Sequence, residues 1–329
     1  MRVQLFLFAL AAVLASGVTQ AETPLPKLNL ASDITVSGLS SGGYMANQFH
    51  LAHAEQVRGV GILAGGPYDC ADNSLATALA RCVGKAEPAV DVMALLSKAK
   101  QRAAAGALAP VDRWTRARVW LFHGNKDVTV ARRVADQLAT FYQAIVPPEQ
   151  IHYVTDIDAA HSMPTRTKGS SCTLSESPFI SACQYDAAGA LLNFLLGPLQ
   201  PAVSKTSGAV LGFDQSLYAP NGDNTLADTG YLYLPAACAA GEPCRLHIAF
   251  HGCQQNAEAI GERFVRDAGY NEWADSNNLV VLYPQTTSSM LPLNPKGCWD
   301  WWGYTGADYA TRKGNQIAAV AAMVTALRR

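Results

Sequence analysis

Ile34-Thr35-Val36-Ser37-Gly38-Leu39-Ser40-Ser41-Gly42-Gly43-Tyr44 is the stretch on which the reading of the fold turns. A β-type run, Asp33 to Ser37, meets a G-x-S-x-G turn and passes into a segment with helical spacing, Tyr44 to Ala54. Glycines flank the serine because so tight a turn leaves no room for side chains beside it, and the turn lifts the Ser40 hydroxyl clear of the sheet. The helix that follows directs its amino end, where free N–H groups favour negative charge, at the same point. A glycine-rich structural turn would carry the same letters. The placement between a strand-like and a helix-like run favours a nucleophile.

An alcohol that keeps its proton is a poor nucleophile, so Ser40 needs a base, and the base needs an orienting carboxylate. Hydrolases built on this turn run in the order serine, acid, histidine. The strand-like Arg118 to Phe122 leads into His123-Gly124-Asn125-Lys126-Asp127, which nominates Asp127 as the acid. The run Ile151 to Thr155 leads into Asp156-Ile157-Asp158-Ala159-Ala160-His161, which nominates His161 as the base. Asp156 and Asp158 are competing acids, although acids within one loop more often cap its backbone. His123 is a competing base, with a structural hydrogen-bonding role as its alternative. His50 and His53 share a helix face, where packing or surface exposure is the plainer expectation.

The remaining runs outline the sheet. Val57 to Leu63, Leu246 to Phe250 and Leu279 to Tyr283 read as further buried parallel strands, and Gly230 to Leu234 as an antiparallel companion. Helical patterns cover Ala89 to Ala105, Ala131 to Ala144, Ala187 to Leu196, Ala257 to Asn277 and Asn315 to Leu327. This alternation implies an α/β fold with a mostly parallel central sheet and helices on both faces, whose chemistry gathers at the carboxyl ends of the strands. The Pro-containing stretch Leu196 to Ala209 reads as a surface connection. A single catalytic domain over residues 22–329 is expected, with two domains as the alternative.

Hydrolysis through an acyl-serine also needs donors for the tetrahedral oxyanion. The backbone N–H of Ser41 is one candidate, and the Cys253 N–H in Phe250-His251-Gly252-Cys253-Gln254-Gln255 is the other. In the usual α/β-hydrolase order the oxyanion strand precedes the serine turn, whereas here it follows. The order is that of a circular permutation: the terminal helix Asn315 to Leu327 would ordinarily feed into the strand that opens the mature chain, and chain ends close in space make such a rearrangement tolerable.

With these segments in view, the chain resembles the extracellular poly(3-hydroxybutyrate) depolymerases of the circularly permuted, single-domain α/β-hydrolase type. The resemblance rests on Gly38 to Met45, the Asp127 and His161 loops, Phe250 to Gln255, and Gly297-Cys298-Trp299-Asp300-Trp301-Trp302, which together span most of the mature chain. It implies a catalytic triad of Ser40, Asp127 and His161, with oxyanion donors at Ser41 and Cys253. Expected substrates are short-chain polyhydroxyalkanoate polyesters and oligomers, with no cofactor. Many such enzymes append a linker and a polymer-binding domain, neither of which is legible here. An esterase for small or plant-derived feruloyl or acetyl esters is the alternative enzyme. A non-catalytic polymer-binding protein is the alternative from another class.

Trp299, Trp301, Trp302 and Tyr304 cluster beside Cys298 and are expected to divide between core packing and a cleft for a polyester chain. All eight cysteines lie beyond the leader. Neighbour pairing would join Cys70 to Cys82, Cys172 to Cys183, Cys238 to Cys244 and Cys253 to Cys298, although eight cysteines allow about 105 pairings. With no C-x-x-C and no Cys/His cluster at ligand spacing, no metal site is expected. Residues 1–21 have Arg2, an apolar run from Leu5 to Leu14 and a small-residue end, the pattern of a secretory signal peptide. The expected location is therefore extracellular or periplasmic. Twenty-five basic residues against 26 acidic ones give a net charge of −1 and no basic face for a nucleic-acid partner. No later run is long and apolar enough to span a membrane, and no protein partner is implied.

Overall fold

A computed structural model describes residues 23–84, 86–220, 222–223 and 225–328. The expected signal peptide, residues 1–21, lies outside the described residues. The strands are β1 (Leu30–Leu39), β2 (Val57–Leu63), β3 (Arg118–Phe122), β4 (Ile151–Val154), β5 (Met163–Thr165), β6 (Ser170–Ser171), β7 (Ile180–Ala182), β8 (Ala209–Asp214), β9 (Thr229–Leu234), β10 (Cys244–Phe250) and β11 (Leu279–Tyr283). The helices that matter for the site are α1 (Ser41–Ala52), α2 (Leu75–Arg81), α3 (Val92–Ala104), α4 (Arg132–Gln143), α5 (Ala187–Leu196), α6 (Tyr270–Ser276) and α7 (Asn315–Leu327).

Eight strands form one sheet in the order β4-β3-β2-β1-β10-β11-β9-β8. The pairs from β4 to β11 are parallel, and β9 and β8 join antiparallel at one edge. Alternate residues of each strand face opposite ways, and the core divides accordingly. Val36, Val60, Leu121, Ile248 and Leu282 share one cluster with Phe49 of α1, Phe141 of α4 and Ile317 of α7. Trp120, Phe122, Ala249, Val281 and Tyr283 share the other with Leu191 and Leu195 of α5 and Tyr270 of α6. Helices thus cover both faces of a mostly parallel sheet, the α/β-hydrolase architecture.

The chain order is permuted as the sequence implied. Strand β10 pairs directly with β1, Ser37 opposite Ala249. The chain ends meet where Leu28 N–H donates to Leu327 O at 2.7 Å. A buried polar staple reinforces the β1–β10 pair: His247 contacts the Thr35 hydroxyl through Nδ1 and the Ser37 hydroxyl through Nε2, both at 2.8 Å. Burial pushes the His247 pKa down to about 3, so the ring is a neutral hydrogen-bonding group.

Two segments differ from expectation. The pattern Ala257 to Asn277 is three short helices, Ala257–Ile260, Arg263–Asp267 and α6. Gly261 (φ 60°) and Gly269 (φ 90°) break it, because their left-handed conformations cannot continue a right-handed helix. Strand β8 is not among the expected strands, although Ala209-Val210-Leu211-Gly212-Phe213-Asp214 is largely apolar; it lies at the sheet edge, where three of its six residues are exposed. The four disulfides are Cys70–Cys82, Cys172–Cys183, Cys238–Cys244 and Cys253–Cys298, as neighbour pairing expects.

The serine turn explains its own glycines. A Cβ at Gly38 would lie 2.1 Å from Gly42 O, and one at Gly42 would lie 2.3 Å from Phe250 O. Gly42→Ala is therefore expected to push α1 off the end of β10 and destabilise the protein by about 1–3 kcal/mol. Thermal unfolding measures this, and an unchanged melting temperature would show that the backbone can give way at no cost.

Candidate active site

Strand β1 delivers Ser40 to its carboxyl end with φ 56° and ψ −122°, a backbone strained for any residue but glycine. Ser40 occupies the N-cap position of α1, yet its side chain makes no cap hydrogen bond. The hydroxyl instead belongs to a cleft of about 510 Å³, whose lining also includes His161, Cys253, Trp301 and Trp302.

His161 reaches that cleft from the loop after β4. The loop lies against the one after β3 through Asn125 N–H to Ile157 O at 2.8 Å and Lys126 N–H to Ala159 O at 3.1 Å. Gly124 makes the approach possible, because a Cβ there would stand 2.1 Å from Ala159 O. Asp127 sits in the second loop with its side chain almost fully buried. Its Oδ1 accepts the Thr129 and Val130 N–H groups at 2.9 and 3.0 Å, and its Oδ2 accepts His161 Nδ1–H at 2.7 Å. Burial alone would raise the Asp127 pKa. The hydrogen bond and charge of His161, with the Val130 N–H, outweigh burial and hold the carboxyl below its ordinary value of 3.8. A carboxylate on Nδ1 fixes the tautomer and leaves Nε2 of His161 with its lone pair.

The competing groups are placed elsewhere. Asp158 accepts from Asn125 Nδ2 at the surface. Asp156 stands near Tyr185, whose pKa is pushed up to about 12 by burial first and by Asp156 second. His123 contacts Val130 O through Nε2 at 2.9 Å. His50 is buried against Tyr142, and burial lowers its pKa to about 3.

Two backbone N–H groups flank Ser40. Ser41 opens α1, and the first N–H groups of a helix have no intrahelical acceptor. Across the cleft, Thr286 N–H donates to His251 Nε2 at 3.2 Å, so the neutral ring carries its proton on Nδ1 and donates to Gly252 O at 2.7 Å. Burial lowers the His251 pKa to about 4 and keeps it neutral. A trans peptide directs its C=O and the next N–H to opposite sides. Holding Gly252 O inward therefore turns the Cys253 N–H the other way, and among the described residues no backbone acceptor takes it. The Cys253–Cys298 disulfide joins this loop to the aromatic segment.

Of the four candidate aromatic residues, Trp301 and Trp302 line the cleft, in edge contact with each other at 5.5 Å. Trp301 also stacks on Tyr44 at 4.7 Å. Trp299 and Tyr304 do not line it. Trp299 is fully buried against Phe250 and His251, and the Tyr304 hydroxyl is spent on Cys298 O at 2.7 Å. The aromatic turn is gathered on Asp300, which accepts the N–H groups of Trp302, Gly303, Tyr304 and Thr305 at 2.6–3.2 Å. Sequence reasoning gave no role to Ser175, Phe179, Gln255 or Asn294, which also line the cleft. Only Gln255 carried a signal, as part of the His251-Gly252-Cys253-Gln254-Gln255 run. Among the described residues no cluster of His, Cys, Asp or Glu has a metal-binding arrangement.

The permuted sheet and the serine turn at its centre place the chain among the α/β-hydrolases. The family profile described as Esterase PHB depolymerase matches residues 229–329. The poly(3-hydroxybutyrate) depolymerase of Delftia acidovorans is 41% identical over 315 residues, covering 94% of this chain and 62% of its own length, so the chain spans less than two thirds of that relative. The polyhydroxybutyrate depolymerase of Talaromyces funiculosus is 39% identical and covers 95% of both chains. Among solved structures, the PHB depolymerase from Penicillium funiculosum superposes with a TM-score of 0.85 at 37% identity, covering 93% of this chain and 98% of that one. A serine-to-alanine variant of a PHB depolymerase complexed with an R3HB trimer gives 0.86 at 38% identity, with the same coverage. The chain belongs to the PHB depolymerase family of esterases.

The low Asp127 pKa has a consequence for stability. A carboxyl whose pKa is depressed by folding contributes stability above its unfolded value, and that contribution is lost as pH falls through the folded value. Wild-type unfolding free energy is expected to decline as pH drops below about 4. In Asp127→Asn this part of the decline should be absent. Chemical denaturation across a pH series checks it, and identical slopes for the two proteins would remove the pair from the stability account.

Proposed function

We propose that this chain is a secreted serine esterase that hydrolyses poly(3-hydroxybutyrate) and related short-chain polyhydroxyalkanoate polyesters and oligomers. The observation that carries the proposal is the opening of Ser40 and His161, the latter held by Asp127, onto one cleft walled by Trp301 and Trp302. Family membership supports the substrate class: relatives carry the name PHB depolymerase, and one solved relative holds an R3HB trimer.

In the acylation step His161 Nε2 takes the Ser40 proton as Oγ attacks the ester carbonyl. Negative charge on the former carbonyl oxygen is met by the Ser41 and Cys253 N–H groups. The imidazolium, stabilised by Asp127, then protonates the departing hydroxyl end of the chain and leaves a hydroxyacyl-serine. Water, deprotonated by His161, releases the hydroxy acid or oligomer and restores Ser40. Each step calls only on side chains and backbone amides of this chain and on water. Residues 22–329 act as one catalytic domain, because β1 and β10 from the two halves of the chain flank the same site. Residues 1–21 direct export, and the four disulfides fit an oxidising compartment.

Ser40→Ala should stay folded and lose about 10⁶-fold in kcat. Hydrolysis of a p-nitrophenyl ester, with 3-hydroxybutyrate oligomers assayed from polymer, measures it, and retained turnover would refute the nucleophile. Trp302→Ala should reduce turnover of trimer or polymer by about tenfold while sparing a small nitrophenyl ester, the difference of one lost aromatic contact. Equal losses on both substrates would assign Trp302 to the scaffold instead.

A further inference from the structure

Gln255 is nearly fully buried and uses every hydrogen-bonding group of its amide across the cleft floor. Its Oε1 accepts the Gly252 N–H at 2.7 Å. Its Nε2 donates to Pro178 O at 3.1 Å and Phe179 O at 2.9 Å. Its own backbone N–H closes the turn on Gly252 O at 3.2 Å. The Gly252 peptide groups are thus held from two sides, the N–H by the Gln255 side chain and the C=O by the Gln255 backbone and His251. The Gly252 carbonyl shares its peptide plane with the Cys253 N–H, so its direction sets the direction of that donor.

The other end of the amide acts on the histidine side. Phe179 O also accepts the Met163 N–H at 2.8 Å, two residues after His161. Ser175, from the same segment, donates its hydroxyl to His161 O at 3.0 Å. Phe179 is held at φ 56°, a conformation that needs fixed partners. One side chain therefore ties the loop bearing the Cys253 N–H to the segment that carries His161.

We propose that Gln255 is a positioning residue that sets the Cys253 N–H and the His161 loop against each other, so that oxyanion donor and base are in register for the same carbonyl. This rests on the serine-esterase reading above. No shape-matched replacement keeps all three bonds. A methionine makes none of them. A glutamate accepts from Gly252 N–H in either charge state, but when ionised it turns a carboxylate towards two carbonyl oxygens, and when protonated it can donate to one of them.

The test measures kcat, KM and melting temperature on p-nitrophenyl butyrate for wild type, Gln255→Met and Gln255→Glu. For Gln255→Met, kcat should fall about tenfold or more with KM within about twofold, the pattern of an interaction made in the transition state. For Gln255→Glu, kcat relative to wild type should fall as pH rises and the glutamate ionises, at a melting temperature that keeps the variant folded throughout. Should Gln255→Met not fold, the pH dependence of Gln255→Glu decides alone. Wild-type kcat in Gln255→Met, or a Gln255→Glu pH profile parallel to wild type, would overturn the positioning role. A wild-type protein without ester turnover would overturn the proposed function instead.

Discussion

The structure depends on how closely the start of α1 approaches the end of β10. At Gly42 two backbones come so near that a single methyl would overlap Phe250 O and His251 O. That approach puts the nucleophile turn and the Gly252–Cys253 peptide side by side, whereas a side chain at residue 42 would separate them by an atom's width. Geometry at this scale matters because oxyanion donors act only within hydrogen-bond range of one oxygen. The register of β1 on β10 supports the approach from below, with neutral His247 bridging Thr35 and Ser37 on the strand that leads into Ser40.

Electrostatics then separate one histidine from the rest. Burial forces His50, His247 and His251 far below the ordinary imidazole range, which makes them neutral struts. His161 is buried as well, but among the described residues it is the histidine that stands in an ion-pair geometry with a carboxylate. Its Nδ1 faces the Asp127 carboxylate, whereas the His251 ring faces Gly252 O, Thr286 and neighbouring aromatic rings. The carboxylate beside its ring is what sets His161 apart in its surroundings from His50, His247 and His251.

Much of this was legible in the sequence because it is encoded locally. G-x-S-x-G between a β-type run and a helical run favours a nucleophile turn over a structural one, and strands β2, β3 and β11 coincide with their apolar runs because a strand buried on both faces needs few polar residues to interrupt it. Three cysteine pairs follow from short spacings, and Cys253–Cys298, 45 residues apart, is the pair that neighbour order then leaves. What escaped was non-local or conformational. The breaks at Gly261 and Gly269 require backbone angles that a helical pattern does not reveal, and β8 is an exposed edge without apolar alternation. The aromatic cluster was visible, but its division was not. Asp300 gathers four successive N–H groups, and that turn decides that Trp301 and Trp302 face the cleft while Trp299 faces the core. Phe179 reaches the site from a segment with no pattern of its own, placed by tertiary contacts alone.

Permutation has a cost that the rest of the architecture offsets. In the common order the oxyanion strand precedes the nucleophile strand, whereas here their pairing joins residues 212 apart in sequence, Thr35 with His247. Closing so long a loop costs more entropy than closing a short one, although the cost grows only logarithmically with length. Bringing distant segments together also slows folding. The Leu28–Leu327 contact holds the seam on the side of the sheet away from the strand ends that carry the chemistry, and the Cys253–Cys298 bridge fastens the late-arriving loop to the aromatic turn. Because β1 lies between β2 and β10, neither half of the chain can bring the proposed nucleophile and its proposed oxyanion donor together unaided. The proposed activity is thereby coupled to completion of the whole sheet, since a partly folded chain would carry Ser40 without the Cys253 loop beside it.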